Sequence, residues 1–477
     1  MCKEDDLDIV DILFDSTFLS RLQFAFTAMF HILWPVLTIG LSLFLVLLEV
    51  LWLKTRNPDY YRHARFWSKL LILNFGVGIV SGIPLEFAFG TNWSPFSVAA
   101  GDFFGNILGF EGAMAFMLEA GFLGIMLFGW RRVPAGIHLF ATVMVALGAS
   151  LSAFWIMVAN AWMQTPAGVH LQGGNIVIDS YAAAIFNPAM LSSVLHMWLA
   201  CLETSLFVVG GISAWYLLQR RNTAFFLKSF RLAILAAIVV TPLQILMGDT
   251  AGLVVAEHQP AKLAAIEAHW QTNPTGEGAD WALLAWPDKD QQRNHWAITI
   301  PNVLSLITTH SLTGQVKGLR EFAVRDQPPV LIPFYAFRFM VLAGMALFAM
   351  MVWSVWSWRR GNITVARINQ HPKLLRAWMI GIPLAYLTVE MGWLTREIGR
   401  QPWVIYGMMR TEAAASTLPV GAVATTLLSY LVIYALLFAV FIVFARRLIH
   451  RGPDLDVPLP DSVLSDDAVN TNQPQTS

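Results

Sequence analysis

The residues best able to do chemistry in this chain are ionisable and sulfur-bearing side chains set inside long apolar stretches. The string Gly399–Arg400–Gln401–Pro402–Trp403 closes an apolar segment, about 374–398, that also carries Glu390, Arg396 and Glu397. Charged groups at membrane depth cost several kcal/mol unless they meet a partner, an ion or a cofactor. An Arg-Glu-x-x-Arg run ended by proline is therefore a place to hold a group at the membrane edge; a collar of snorkelling side chains is the competing reading. His31, His196 and Met340 lie in three other apolar segments. A His/Met pair suits a six-coordinate electron-transfer haem, although a lone buried His or Met more often packs without one.

Glu111 and Glu119 stand eight residues apart in one apolar segment, about 12 Å along a helix and about 80° around it. Near mid-membrane, Glu119 needs a role or a neutralising proton, so it is either a proton relay or a hydrogen-bonded structural acid. Ser152 in the following segment is a candidate hydroxyl partner for it. Glu86 falls close to the interface, where a solvated end is as good a reading as a site.

These residues need a membrane scaffold, and the composition provides one. Of 477 residues, 56% are hydrophobic and 13% charged, about half the charged share of a soluble domain; mean hydropathy is +0.57. The 31 basic and 31 acidic residues balance, which leaves no polyelectrolyte character for nucleic acid. Cys2 and Cys201 are the two cysteines, too few for a disulfide framework or a thiolate metal site. The acidic first ten residues lack the charged-then-apolar order of a cleaved signal peptide.

Apolar runs at about 24–53, 70–89, 105–130, 135–161, 187–218, 225–247, 331–356, 374–398 and 417–444 each reach the roughly 20 residues needed to cross the hydrocarbon. Their length and their internal Gly and Pro predict nine transmembrane helices, an all-α integral membrane protein. The first, third, fifth and seventh connections are basic, with Lys54, Arg56, Arg131, Arg132, Arg220, Arg221, Arg359 and Arg360 among them, while the second and fourth have no Lys or Arg. The basic connections are expected in the cytoplasm, which puts the N-terminus outside and the C-terminus inside. The expected organisation is an external segment 1–19, helices one to six over 20–247, an external loop 248–330, helices seven to nine over 331–447, and a disordered cytoplasmic tail 448–477. The loop is too long for a mere linker and contains the helix-forming string KLAAIEAHW. Counted by helical rise, His31, His196, Met340, Glu111 and Glu397 all fall in the outer half of the membrane.

The strings SRLQFAFTAMFH (20–31), EFAFGTNW (86–93), FEGAMAFMLEA (110–120), KLAAIE (262–267), FRFM (337–340) and GRQPW (399–403) resemble subunit I of cytochrome bd-type quinol oxidases, in order along nearly the whole membrane part. The resemblance implies three haems near the outer face: a low-spin haem b, a high-spin haem b, and a haem d or a further haem b. It makes His196 and Met340 the axial ligands of the low-spin haem, with Arg338 as a nearby arginine that pairs with a propionate or tunes the potential. It makes His31 and Glu397 ligands of the two high-spin haems, without saying which holds which. Glu111 would lie beside that pair, Trp393 and Arg400 around its pocket, and Arg21 on the haem side of the first helix. Lys262 and Glu267 match residues implicated in quinol binding, and Glu119 matches a carboxyl on the proton path to oxygen.

The activity so implied is oxidation of ubiquinol at the outer face and reduction of O2 to water, building a proton gradient by vectorial uptake and release without a pump. Implied partners are subunit II, a small single-helix accessory subunit and membrane lipid, with no nucleic acid, in the bacterial cytoplasmic (inner) membrane. After KLAAIE the chain reaches the seventh helix through Asp326–Gln327–Pro328–Pro329 without a long insertion, and GRQPW continues as VIYGMMRTEAAAS; both features resemble the short-loop, cyanide-insensitive branch. The rival readings are a proton-coupled transporter or channel without a redox cofactor, and a cytochrome b-like subunit without oxygen chemistry.

Overall fold

A computed structural model describes residues 15–460; the start of the expected external segment and most of the expected tail lie outside the described residues. Among the described residues, nine helices are long and apolar enough to cross a membrane: α1 (Ser16–Thr55), α2 (Pro58–Gly90), α3 (Gly101–Phe128), α4 (Ala135–Gln164), α5 (Met190–Leu218), α6 (Thr223–His258), α7 (Leu331–Arg359), α8 (Pro372–Ile398) and α9 (Val420–Arg451). Local chemistry sets their starts. The Asp15 carboxylate accepts from the N–H groups of Thr17 (3.0 Å) and Phe18 (3.1 Å) at the head of α1. Pro58 fills the first turn of α2 while Asn57 caps it.

The nine-helix expectation holds, with differences at the edges. The sixth helix runs on to His258 rather than ending near 247, because the polar Gly248–Asp249–Thr250 lowers hydropathy without breaking a helix, and the next breaker is Pro260. The long connection between α6 and α7 is ordered, with a helix Pro260–Ile266, a β-hairpin of Trp281–Asp288 with Arg293–Ile300, and a helix Val303–Thr309. Within α3 the residues Glu111–Phe116 form a π-helical turn, and prolines 35, 84, 242 and 383 interrupt α1, α2, α6 and α8.

The first and fifth helices are the most enclosed, with 67% and 78% of their apolar windows buried, against 6% for α9. The centre is therefore α1 against α5, with α4, α6 and α8 also against α5 and α2 against α1. The basic connections gather at one end: Lys228 Nζ donates to Asp59 Oδ2 (2.6 Å), Arg231 Nε to the Ile363 carbonyl (3.1 Å) and Arg221 to the His450 carbonyl (3.2 Å). The other connections meet at the opposite end, where the Tyr406 N–H donates to the Met163 carbonyl (3.0 Å) and that of Ser416 to Asn92 (2.8 Å). Toward the basic end lies a dense aromatic core of Trp52, Tyr61, Trp67, Tyr216, Phe226 and Trp378, all fully buried.

Helices in lipid gain little from burying apolar surface against each other, so close backbone approach takes over. Gly40 allows that approach: a Cβ there would collide with Ser205 Oγ and the Cys201 carbonyl of α5. Gly136, by contrast, has nothing within 4 Å of such a Cβ. Gly40→Ala is expected to cost about 1–3 kcal/mol by overpacking and Gly136→Ala almost nothing, read as melting temperature of the solubilised protein. Equal stability of the two variants would refute the central α1/α5 contact.

Candidate functional site

Opposite the basic end, α8 finishes in a cluster of charges. Glu397 Oε1 accepts from Asn160 Nδ2 (2.9 Å) and Gln164 Nε2 (3.3 Å), both on α4, and Oε2 accepts from Arg400. Arg396 Nε donates to Asn160 Oδ1 at 2.5 Å, so one amide orients both neighbours. From the long connection between α6 and α7, Lys262 Nζ donates to Gln164 Oε1 (2.9 Å), to Gln259 Oε1 (3.3 Å) and to the Arg396 carbonyl (2.9 Å). Three basic side chains thus surround one carboxylate. Burial, and then Arg396, push the Lys262 ammonium well below its ordinary value, and burial likewise pulls Arg400 down against the opposing pull of Glu397.

This arrangement fits a haem. Arg396 Nη2 and Arg400 Nε and Nη1 are buried with no protein partner, and buried unpaired cations are costly until an anion reaches them; propionate carboxylates are such anions. A carboxylate offers about four lone-pair positions, so the three bonds to Glu397 leave one for a metal.

The other expected ligands are set with comparable care. His31 Nδ1 lies 3.0 Å from Ser81 Oγ, whose own proton goes to the Gly78 carbonyl at 2.9 Å. Ser81 must therefore accept from His31 Nδ1–H, which leaves Nε2 with its lone pair free for iron. Four residues on, Pro35 supplies no amide to the His31 carbonyl and loosens α1 there. Each of the three soft ligands also packs on a glycine. A Cβ would stand 2.9 Å from His31 Cε1 at Gly82, 3.3 Å from His196 Cε1 at Gly248, and 3.1 Å from Met340 Sδ at Gly392.

Other expected residues lie elsewhere than foreseen. Lys262 and Glu267, expected at the quinol, are both buried, at 4% and 3% exposure, so neither lies open on the surface of the loop. Glu267 Oε2 accepts from Arg338 Nη2 at 2.6 Å. Burial raises the Glu267 carboxyl above its usual range, with Arg338 opposing. Arg338, expected to pair with a propionate or to tune the potential of the low-spin haem, donates to Glu267 and to the Ala282 carbonyl (2.8 Å from Nε) and stacks on Phe334. It ties α7 to the loop. Ser152 donates to Glu111 Oε1 at 2.6 Å rather than to Glu119. Glu119 is buried with Oε1 unpartnered and packs on Gly148 of α4. Arg21 reaches Gln401 of the GRQPW string at 3.2 Å, and Trp393 holds a buried, unpartnered Nε1 beside Glu397 in sequence.

Three residues of the site went unmarked in the sequence reading: Ser81, Asn160 and Gln164. Two amides four residues apart at the end of an apolar helix share one face, and that spacing was the available signal. For Ser81 there was none, because one hydroxyl in a membrane helix usually bonds its own backbone.

Comparison with known proteins follows the same lines. Residues 19–453 match the family model described as cytochrome bd terminal oxidase subunit I. The chain is 33% identical to the cytochrome bd-II ubiquinol oxidase subunit 1 of Escherichia coli (strain K12), over 91% of this chain and 96% of that one. It is also 33% identical to the cytochrome bd ubiquinol oxidase subunit 1 of Bacillus subtilis (strain 168), covering 92% and 94%. The bd oxidase structure from Geobacillus thermodenitrificans superposes with a TM-score of 0.84 at 30% identity, over 92% of this chain and 99% of that one. Nine helices of membrane-spanning length among the described residues agree with a match along almost the full length, and this chain belongs to the cytochrome bd terminal oxidase subunit I family.

Proposed function

We propose that this chain carries the haems of a quinol:oxygen oxidoreductase in a bacterial inner membrane, oxidising ubiquinol at the external loop 248–330 and reducing O2 to water beside Glu397. The observation that supports the site assignment is the cluster of Lys262, Arg396 and Arg400 around the Glu397 carboxylate, in which Arg396 Nη2 and Arg400 Nε and Nη1 are buried without a partner from the protein. The haems supply one-electron carriers and the iron at which oxygen is reduced. His196 and Met340 hold the low-spin haem b. His31 and Glu397 hold a high-spin haem b and a third haem, d or b. Arg396, Arg400 and Trp393 would supply donors to the carboxylates of the high-spin pair, and Asn160 and Gln164 orient the Glu397 carboxylate that would ligate.

For the quinol, a cleft of about 430 Å³ lies between α6 and the loop, lined by Leu253, Ala256, Pro260, Leu263, Val316 and Lys317. Its size suits a ring head group. Lys262 and Glu267 brace the helix that forms one wall, which accounts for a need for both without direct contact. With the N-terminus outside, protons from quinol leave at the outer face. Glu119 then passes cytoplasmic protons toward Glu111 and Ser152, so charge crosses the membrane without a pump. The sparsely buried outer faces of α3 and α9 leave room for subunit II, a single-helix accessory subunit and lipid.

A visible spectrum and a quinol-driven oxygen-uptake assay on the purified complex test the whole reading; no chromophore would refute it. Met340→Leu removes the thioether at similar size, and the low-spin spectrum is expected to turn high-spin while the other haems stay. An unchanged low-spin spectrum would exclude Met340 as a ligand.

Glu267→Gln leaves the Arg338 guanidinium buried without its counter-charge, a loss of about 3–5 kcal/mol of local stability. Quinol oxidation is expected to fall sharply while oxygen reduction from an artificial donor continues; equal loss of both with haem intact would assign the loop no part in quinol oxidation. Glu119→Gln keeps shape and hydrogen bonding but removes the transferable proton. Turnover should drop by about 100-fold or more with full haem content and fast anaerobic haem reduction. Near-normal oxygen uptake by that variant would remove Glu119 from the proton path.

A further inference from the structure

Toward the basic end of the bundle, remote from every ligand above, α1 and α4 share a second buried ionisable pair. Glu49 and His138 are 1% and 2% exposed. Glu49 Oε2 lies 2.9 Å from His138 Nδ1, and Glu49 Oε1 accepts from Thr142 Oγ1 at 2.7 Å. His138 Nε2 lies 3.0 Å from the Met126 carbonyl of α3.

Donor accounting fixes what this pair holds. A carbonyl only accepts, so His138 Nε2 must carry a hydrogen and donate to Met126. The contact between Nδ1 and Oε2 then needs one further proton. It sits either on Nδ1, as imidazolium with carboxylate, or on Oε2, as carboxylic acid with neutral imidazole. Both forms are neutral overall, so the pair keeps a mobile proton inside the helix bundle without the cost of a net charge.

Its place gives that proton a destination. Met126 follows Glu119 by seven residues on α3, two turns and about 10 Å along the same face. On α4, His138, Thr142, Val145, Ala149 and Ser152 recur at spacings of four and three, one stripe of a helix. Gly148 beside that stripe packs on Glu119, and Ser152 bonds Glu111. The α3/α4 seam therefore carries ionisable groups from the basic end to Glu111 in order. Above the pair, Trp130 covers the His138 ring with centroids 4.0 Å apart, and Arg65 lies over Trp130 at 5.6 Å, which puts the dyad one aromatic layer beneath the basic connections.

We propose that the Glu49–His138 dyad is the proton donor that reloads Glu119 from the cytoplasmic side, a role that rests on the oxidase reading above. The dyad gives up its shared proton along the seam to the Glu119 carboxylate. It is left as carboxylate and neutral imidazole, and a proton from the cytoplasm restores it. The alternative is a polar clamp that only fastens α1 to α4.

Glu49→Gln separates the two roles. A glutamine amide can donate to Nδ1 of a neutral His138 and accept from Thr142, so every hydrogen bond survives and only the mobile proton is lost. Glu49→Asp keeps the proton but shortens the reach and spoils the packing. In the purified complex, oxygen uptake per haem should fall by about 100-fold in the Gln variant and recover to within about tenfold of the parent in the Asp variant. A clamp predicts the reverse order, with Asp the worse of the two. Turnover per haem in the Gln variant within about twofold of the parent, or an Asp variant no faster than Gln, would overturn the proposal. Anaerobic reduction of the parent's haems by quinol, in the same preparation, reads the oxidase assignment separately.

Discussion

The carboxylate of Glu397 and the three cations around it hold together the end of the bundle opposite the basic connections. Charges this buried are tolerable only if each is paired and oriented, and the pairing here draws on three parts of the chain: α8 itself, the α4 amides Asn160 and Gln164, and Lys262 from the loop between α6 and α7. The loop, the fourth helix and the eighth helix are consequently one electrostatic unit. A loop that oxidises quinol and a pocket that reduces oxygen would share that unit, so the two halves of the reaction have a common scaffold.

The second buried bridge, Glu267 with Arg338, repeats the device at the seventh helix. Between them, the two clusters pin both ends of the short helix Pro260–Ile266 to the membrane domain. Removing either partner would leave a buried charge uncompensated, a larger penalty than the pair's own contribution to stability. The loop thus has a defined shape although it lies between helices rather than within them.

Packing is divided in a matching way. Large aromatic side chains fill the basic end and close it, whereas the opposite half is built around glycines that face His31, His196 and Met340, and around helices loosened by Pro35 and by the π turn at Glu111. Irregular helix geometry is costly in lipid, because every backbone group must be satisfied within the protein. Its concentration near the expected ligands is consistent with a half of the bundle shaped to receive large flat groups, braced by a rigid half below.

Nine apolar runs of sufficient length, and proline and glycine patterns incompatible with strands, were enough to read the helical membrane fold from the amino-acid order. Hydrocarbon imposes so strong a constraint on the backbone that length and hydropathy nearly suffice. The ends of helices were less legible, as α6 shows, since a helix can outlast its hydrophobicity by several turns. His31, His196, Met340 and Glu397 could be singled out because ionisable or soft groups in apolar helices are rare, and their motifs carried the family likeness. Which of their neighbours touch was not legible. Asn160 with Glu397, Lys262 with the Arg396 carbonyl, Ser152 with Glu111 rather than Glu119, and Glu49 with His138 are all contacts between helices far apart in the chain. Helix periodicity says which side chains share a face, but the rotation and depth of one helix against another come from packing the whole bundle, and those two quantities choose the partner of every buried charge.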